Sequence, residues 1–283
     1  MNELLLIGIG TQKAGTTWLS EYFRKHQPLV HQPQLKEVHF FDNYFMPKYG
    51  QFFEEQRLRG LQQSIQALDI VSVKNADKLK DLTAQLRRFS AILSPHDYLD
   101  FLRDGAASAN ILCDITPDYT LLGASAFEFM KQVHPNVKLM FLMRNPADRF
   151  WSSLRFNRTH NPNFDILENF DQMLYRDDFV RYVNYDRTLC AAFEHFSKPD
   201  VFTEFYENLF TDAAITKLCS WLKLPFQCGD YEVRSNEAQS EPLPENLRQK
   251  IVIAYARTYQ EISDRFGYTN LPKNWRTDME AYL

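Results

Sequence analysis

Short apolar runs alternate with amphipathic stretches along the chain, and this alternation predicts an α/β fold. The apolar runs have the continuity of buried parallel strands, and they lie at 4–9, 111–113, 137–143 and 201–205. Between them apolar residues recur at helical spacing, first at 16–26. Strands that alternate with helices pair in parallel, and ligands bind at their carboxyl ends. We therefore expect a parallel β-sheet flanked by helices.

The rest of the chain predicts a helical insertion and a largely helical second half. Residues from about 46 to 105 contain several helical patterns with mixed charges, which are typical of a solvated surface. Further amphipathic helices are predicted at 166–196, 211–223 and 244–265. No internal repeat and no linker is visible, so we expect residues 1–283 to form a single domain.

Composition is typical of a soluble globular protein. The chain has 283 residues, of which 45% are hydrophobic and 24% charged, and its net charge of −4 argues against a nucleic-acid partner. No apolar stretch is long enough to span a membrane, and the N-terminus is too short and acidic for a signal peptide. The four cysteines lie far apart without a C-x-x-C pair, so we expect buried thiols in a cytoplasmic protein.

A glycine-containing loop separates the first strand from the first helix. Gly10 and Gly15 have the spacing of a P-loop, but Thr16 follows the second glycine and the lysine is at position 13. The backbone N–H groups of such a loop and the helix N-terminus face an anion. The sequence therefore predicts a P-loop-type sheet whose loop binds phosphate differently from the loop of a kinase.

Residues 144–152, which follow the 137–143 strand, are similar to the 3′-phosphate site of a family of nucleotide-dependent transferases, in which an arginine and the serine eight positions later bind one phosphate. Arg144 lies at the carboxyl end of this strand, and Ser152 follows eight positions later on the next predicted helix. A guanidinium fork and a hydroxyl in this arrangement can contact one phosphate. Phosphate sites at two strand ends imply a nucleotide with two separate phosphate groups.

Both segments resemble the nucleotide site of the sulfotransferases that use 3′-phosphoadenosine 5′-phosphosulfate (PAPS). Residues 13–18 are similar to the family's 5′-phosphosulfate loop, residues 144–152 to its 3′-phosphate site, and residues 206–209 to a segment whose tyrosine lies near the adenine. The resemblance implies that Lys13 contacts the leaving phosphate and that Trp18 stacks on the adenine. The cofactor-binding residues implied in this way are Lys13, Ala14, Gly15, Thr16, Thr17, Trp18, Arg144, Ser152 and Tyr206.

Residues 37–42, with the sequence EVHFFD, resemble the catalytic stretch of the glycan O-sulfotransferase branch. The resemblance implies that Glu37 removes the proton of the acceptor hydroxyl and that His39 and Asp42 support it. His39 is the alternative base, as a histidine is in the cytosolic small-molecule branch. Sulfuryl transfer requires alignment of the acceptor, late removal of its proton and neutralisation of the leaving phosphate, and Lys13 is expected in the last of these roles.

Residues 114–119 resemble an acceptor-side segment of the same family. The resemblance places Asp114 and Thr116 near the acceptor, but Ile115 stands where the family has a lysine. A C-terminal Lys-Gly-x-x-Gly phosphate loop is absent from the sequence, which leaves Arg234 and Lys273 as candidate substitutes.

These observations predict an enzyme that transfers a sulfuryl group from PAPS to a hydroxyl without a metal ion. The chain has 36 acidic and 32 basic side chains, so we expect a small neutral or cationic acceptor, such as a hydroxylated natural product, and no polyanion. A glycan O-sulfotransferase, a P-loop kinase that uses Lys13 and Asp114, and an inactive nucleotide-binding module are the competing interpretations. The oligomeric state remains open.

Overall fold

The computed structural model describes residues 3–66, 76–92, 94–232 and 241–283. This part of the chain contains one parallel sheet, whose strands are β1 (Leu4–Gly8), β2 (Val30–His31), β3 (Ile111–Ile115), β4 (Val137–Met143) and β5 (Val201–Phe205). The strand order is β2-β3-β1-β4-β5. The predicted parallel α/β sheet is confirmed. The sequence pattern missed β2, since two residues are too few to show a periodicity.

Helices follow each of the long strands. Those before β3 are α1 (Thr16–His26), α2 (Phe40–Phe45), α3 (Pro47–Gln66), α4 (Ala76–Ala91) and α5 (Pro95–Arg103). Those between β3 and β5 are α6 (Ala124–Val133), α7 (Pro146–His160), α8 (Ile166–Leu174), α9 (Asp177–Val183) and α10 (Tyr185–Phe193). After β5 come α11 (Tyr206–Leu209), α12 (Asp212–Leu222), α13 (Glu245–Ala254), α14 (Ala256–Phe266) and α15 (Lys273–Tyr282).

Two of the long predicted helices are interrupted. The stretch 166–196 contains α8, α9 and α10, because Asn184 ends α9 and its side chain accepts a hydrogen bond from the Arg187 N–H at the start of α10. The stretch 244–265 is divided between α13 and α14 at Tyr255. This tyrosine is buried, and its hydroxyl donates to the carbonyl of Leu174, so a tertiary contact overrides the continuous helical pattern.

The predicted helical insertion corresponds to α3, α4 and α5, and its residues 67–75 and 93 lie outside the described part. Helix α5 packs against β3. No helix in the described part of the chain is long and apolar enough to cross a membrane. All four cysteines are free thiols, but the prediction that they are buried is wrong for Cys190 and Cys228, which are exposed.

Strand β1 lies in the middle of the sheet and is buried on both faces. Leu5 and Ile7 belong to one hydrophobic cluster, whereas Leu4 and Leu6 belong to the cluster on the opposite face. This arrangement explains why the strand is a continuous apolar run. Its last residue, Gly8, pairs with Ile115 of β3 and with Met140 of β4, so the loops after β1 and β3 begin side by side.

A buried polar network ties the end of β4 to the C-terminal helices. Asp278 of α15 is 3% exposed and accepts hydrogen bonds from Asn145 Nδ2 at 2.7 Å, Tyr259 OH at 2.9 Å and Arg248 Nη1 at 3.1 Å. Asn145 also caps α7, because its side chain accepts from the Asp148 N–H. The network therefore holds the residue that follows Arg144.

We expect Asp278→Ala to destabilise the protein by about 3 kcal/mol, because it removes the buried carboxylate that Asn145, Tyr259 and Arg248 share as an acceptor. Urea unfolding followed by circular dichroism measures the loss. A matched control is Asp171→Ala, which removes an exposed carboxylate with a single lysine partner and should cost about 0.5 kcal/mol or less. Equal losses for the two variants would contradict a structural role for the network.

Candidate active site

The loop between β1 and α1 is shaped by two glycines with positive φ. At Gly10, with φ of +124°, a Cβ atom would lie 2.7 Å from the carbonyl oxygen of Pro117, so only glycine allows the loop to pass this close to the segment after β3. Gly15, with φ of +85°, precedes α1, and no side chain caps this helix. The N–H groups of its first turn are therefore available to an anion.

Lys13 lies in this loop among other cations. Its ammonium group sits 4.3 Å from the centre of the Phe156 ring, and its backbone φ is +68°. Burial, together with the positive charges of Arg144, Arg149, Arg155 and Lys36, lowers the pKa of Lys13 to about 8. A bound anion would offset this repulsion. The loop thus has the electrostatics of an anion site.

Arg144 lies directly beside the loop, at the end of β4. Its Nη1 donates to the carbonyl of Lys13 at 2.9 Å, and its guanidinium stacks on the ring of Tyr206 at 4.3 Å. The hydroxyl of Tyr185 fixes the Arg144 backbone by donating to its carbonyl. The Nε atom of Arg144 is buried without a hydrogen-bond partner, as expected for a side chain that binds an anion.

Helix α7 places Ser152 and Arg155 about one turn apart. Ser152 is half-buried, and its hydroxyl has no hydrogen-bond partner among the described residues. Burial and the charge of Arg144 lower the pKa of Arg155, so this second arginine belongs to the same cationic cluster. Sequence reasoning missed Arg155, although its spacing of three from Ser152 was a usable signal. Of the two candidate substitutes, Lys273 begins α15 as an exposed residue and Arg234 lies outside the described residues.

Tyr206 lies between the β1–α1 loop and Arg144. A Cβ atom at Gly15 would lie 3.2 Å from the Tyr206 ring and 2.8 Å from Leu209, so the start of α11 packs against the loop. The neighbouring Glu207 accepts from the Asn145 N–H at 2.9 Å. The segment after β5 therefore fixes both predicted phosphate-binding segments, which the structure brings together.

Trp18 is 5% exposed and packs on protein groups. Its indole N–H donates to the carbonyl of Asp230 at 3.1 Å, and its ring stacks against Tyr22 and Tyr231 with centroid distances of 5.7 and 6.0 Å. Ala14 and Thr16 are also buried. The adenine-stacking role of Trp18 remains a prediction.

Glu37 lies between a lysine and a histidine. Lys36 Nζ is 2.9 Å from Oε1 of Glu37, and His39 Nε2 is 3.5 Å from Oε2. Burial opposes ionisation, but the hydrogen bond with His39 and the charge of Lys36 outweigh it and lower the pKa of Glu37 to about 2. The side chain is 38% exposed. Glu37 is thus an ionised carboxylate that a ligand can reach.

His39 is buried behind this carboxylate. Its side chain is 4% exposed, and its Nδ1 donates to Oδ2 of Asp42 at 2.6 Å. His39 has φ of +56° and immediately precedes α2, a conformation that turns the chain so that Asp42 lies one helical turn away. Asp42 therefore orients the imidazole, whose other nitrogen faces Glu37.

Asp118 is a third carboxylate in this cluster, and sequence reasoning missed it. Its Oδ2 lies 3.9 Å from His39 Nδ1, and its Oδ1 accepts from the hydroxyl of Tyr182 at 2.6 Å. Burial raises the pKa of Asp118, although the charge of His39 and the Tyr182 hydroxyl oppose this effect. His39, Asp42 and Asp118 have ligand atoms within 4.8 Å of one another, a spacing that could accommodate a metal ion.

Asp114 and Thr116 are completely buried and bind protein groups. Asp114 accepts from the hydroxyls of Thr116, Tyr98 and Tyr119 at 2.7, 3.0 and 2.8 Å. Burial raises its pKa despite these hydrogen bonds. The Val38 N–H in turn donates to the Thr116 hydroxyl at 3.1 Å. This geometry indicates that both residues hold segment 36–42 in place, and their contact with an acceptor remains a prediction.

Known proteins share this architecture. Solved structures with a similar fold include a sulfotransferase from Alicyclobacillus acidocaldarius, with a TM-score of 0.67 and 16% identity over 98% of this chain and 100% of that one. The sulfotransferase domain of the Synechococcus PCC 7002 olefin synthase has a TM-score of 0.53 and 16% identity, covering 90% of this chain and 94% of that one. The sulfotransferase domain from the curacin biosynthetic pathway has a TM-score of 0.51 and 15% identity, covering 100% and 96%.

No curated protein matches the chain in sequence. The model of the sulfotransferase family matches residues 6–228, which include the loop, the Glu37 cluster and Arg144. This match covers well over half of the chain, and the prediction made from residues 13–18, 37–42 and 144–152 is confirmed: the chain belongs to the sulfotransferase family.

Proposed function

We propose that this enzyme transfers a sulfuryl group from PAPS to a hydroxyl of a small neutral or cationic acceptor. One observation carries the proposal. A cluster of cations around the β1–α1 loop meets the carboxylate of Glu37 through the 2.9 Å contact with Lys36. A site for a doubly phosphorylated donor therefore adjoins a group that can accept a proton.

The chain's own residues fit such a donor. The loop N–H groups, Lys13, Thr16 and Thr17 would hold the 5′-phosphosulfate, as the resemblance implies. Arg144 and Ser152 would hold the 3′-phosphate, and the buried Nε of Arg144 would then gain an acceptor. Arg155 adds a second guanidinium on the same helix as Ser152 and takes the place of the missing C-terminal phosphate loop.

Glu37 is better placed than His39 to take the acceptor proton. The Glu37 side chain is 38% exposed, whereas that of His39 is 4% exposed and bound to Asp42. The acceptor oxygen attacks sulfur, the bond from sulfur to the 5′-phosphate oxygen breaks with its electron pair on that oxygen, and Glu37 receives the hydroxyl proton. Lys13 neutralises the charge that develops on the leaving phosphate. His39 acts as a positioning residue for Glu37.

The acidic side of the site supports the choice of acceptor. Glu37, Asp42 and Asp118 surround His39, and three carboxylates would repel a sulfated or carboxylated glycan. Ile115 is 0% exposed within β3, so no lysine offsets this charge at that position. These features favour a neutral or cationic molecule over a glycan.

Two features count against a P-loop kinase and against an inactive nucleotide-binding module. Asp114 is fully buried and engaged with three hydroxyls, which leaves it unsuited to holding magnesium for a kinase. Glu37 and Lys13 both retain the charge that transfer requires, which argues against an inactive module. We also propose that transfer is independent of metal, since lysine and arginine side chains supply the positive charge.

The decisive experiment offers radiolabelled PAPS with a panel of hydroxylated amines, neutral phenols and alcohols, and sulfated or carboxylated oligosaccharides, with and without EDTA. We expect label transfer to members of the first two groups and unchanged rates with EDTA. ATP with magnesium serves as the control donor for kinase activity. Salt-sensitive transfer to the oligosaccharides alone would contradict the proposed acceptor class, and transfer of phosphate from ATP would contradict the reaction.

The lowered pKa of Lys13 predicts that nucleotide binding depends on pH. Bound phosphate favours the charged form of Lys13, whose pKa is about 8 in the free protein. Affinity for adenosine 3′,5′-bisphosphate should therefore be constant below about pH 7 and fall by up to about tenfold per pH unit above pH 8. Calorimetry between pH 6 and 9.5 measures this slope. Lys13→Ala should flatten it, and an equally steep slope in the variant would assign the titration to another group.

Glu37 and His39 are distinguished by their variants. Glu37→Gln keeps the shape of the side chain but removes its basicity, so we expect kcat to fall by about 100- to 10,000-fold with little change in nucleotide affinity. His39→Ala should lower kcat less, because its role is to position Glu37. Single-turnover assays provide the comparison. The reverse ranking of the two variants would make His39 the base.

A further inference from the structure

Lys36 lies between the two halves of the site, and neither the resemblance nor the family match gives it a role. Its Nζ donates to Oγ1 of Thr17 at 3.0 Å and to Oε1 of Glu37 at 2.9 Å. Its side chain is 21% exposed, so the ammonium group is largely enclosed. One side chain therefore connects the phosphate loop directly to the proposed base.

Position 115 carries no cation in this chain, because its residue is an isoleucine. Ile115 occupies the place of the family's lysine, is fully buried, and packs against β1, where a Cβ atom at Gly8 would lie 3.0 Å from its side chain. Transfer of a sulfuryl group still places negative charge on oxygens between donor and acceptor. Lys36 is the cation that the structure places beside Thr17 at this junction.

The ammonium group has a donor to spare. An ammonium carries three N–H bonds, and Thr17 and Glu37 account for two of them in the described structure. Thr17 belongs to the loop assigned to the 5′-phosphosulfate, so an oxygen bound by Thr17 is also within reach of Lys36.

We propose that Lys36 is a second catalytic cation, which binds the sulfuryl oxygens of the donor and thereby loosens its ion pair with Glu37. This inference rests on the proposed function. The bonds that form and break are those of the transfer itself, and the acceptor proton goes to Glu37. Before the donor binds, Lys36 holds Glu37 as a weakly basic carboxylate. After it binds, Lys36 shares its charge with the sulfuryl group, and Glu37 becomes a stronger base at the moment when an acceptor can react.

The test compares two nucleotides that differ only in the sulfuryl group. PAPS and adenosine 3′,5′-bisphosphate are titrated by calorimetry into the wild type, Lys36→Ala, Lys36→Arg and the control Lys250→Ala, which removes an exposed lysine of α13. We expect Lys36→Ala to weaken PAPS by about tenfold more than the bisphosphate, because only PAPS carries the oxygens that Lys36 contacts. Lys36→Arg should restore part of the difference. Equal effects on both nucleotides would overturn the proposal.

Kinetics provide a second readout that a purely structural role would not change. Lys36→Ala should lower the single-turnover rate by about 100-fold or more at saturating PAPS. The variant also loses the charge that keeps Glu37 ionised, so the acid limb of its pH profile should move to higher pH. An unmoved acid limb together with a normal rate would contradict the role.

If the wild type itself fails to bind PAPS or to transfer the label, the proposed function fails. Normal transfer by the wild type with an unaffected Lys36→Ala variant contradicts only the role of Lys36.

Discussion

The parallel register of β1 with its two neighbours is the constraint on which the site depends. Gly8 ends opposite Ile115 and Met140, so the loop after β1 begins beside the segment after β3. Gly10 then passes against Pro117 at a distance that only glycine tolerates. Because β4 lies on the other side of β1, Arg144 reaches the carbonyl of Lys13 with a single hydrogen bond. A shift of this register would separate Gly10 from Pro117 and Arg144 from Lys13.

Charge is divided across the candidate site. Burial, followed by the charge of Arg144, lowers the pKa values of both Lys13 and Arg155, so cations gather on the side of the β1–α1 loop. Glu37, Asp42 and Asp118 gather around His39 on the other side. The ion pair of Lys36 and Glu37 lies between these two groups of charges.

The sequence was sufficient for the sheet because its strands depend on local patterns. Continuous apolar runs identified four of the five strands, and the spacing of glycine, lysine and arginine identified the loops. The sequence was not sufficient to predict groups whose contacts come from distant parts of the chain. Asp118 joins the cluster only because the segment after β3 folds against His39, and Tyr255 interrupts a helix only because Leu174 lies beside it. The three buried hydroxyl partners of Asp114 likewise come from residues 98, 116 and 119, and only the fold brings them together.

Segment 36–42 is held in place by groups that lie in the core. The Val38 N–H binds Thr116, the Phe40 N–H binds the hydroxyl of Tyr119, and both partners converge on the buried Asp114. The sheet therefore fixes the backbone on either side of His39. These fixed neighbours maintain the left-handed backbone conformation of His39. Ile115, one residue along β3, points into the opposite face of the sheet and packs on Gly8. The strand thus supports segment 36–42 through Asp114, and Lys36 extends from that segment to Thr17 of the β1–α1 loop.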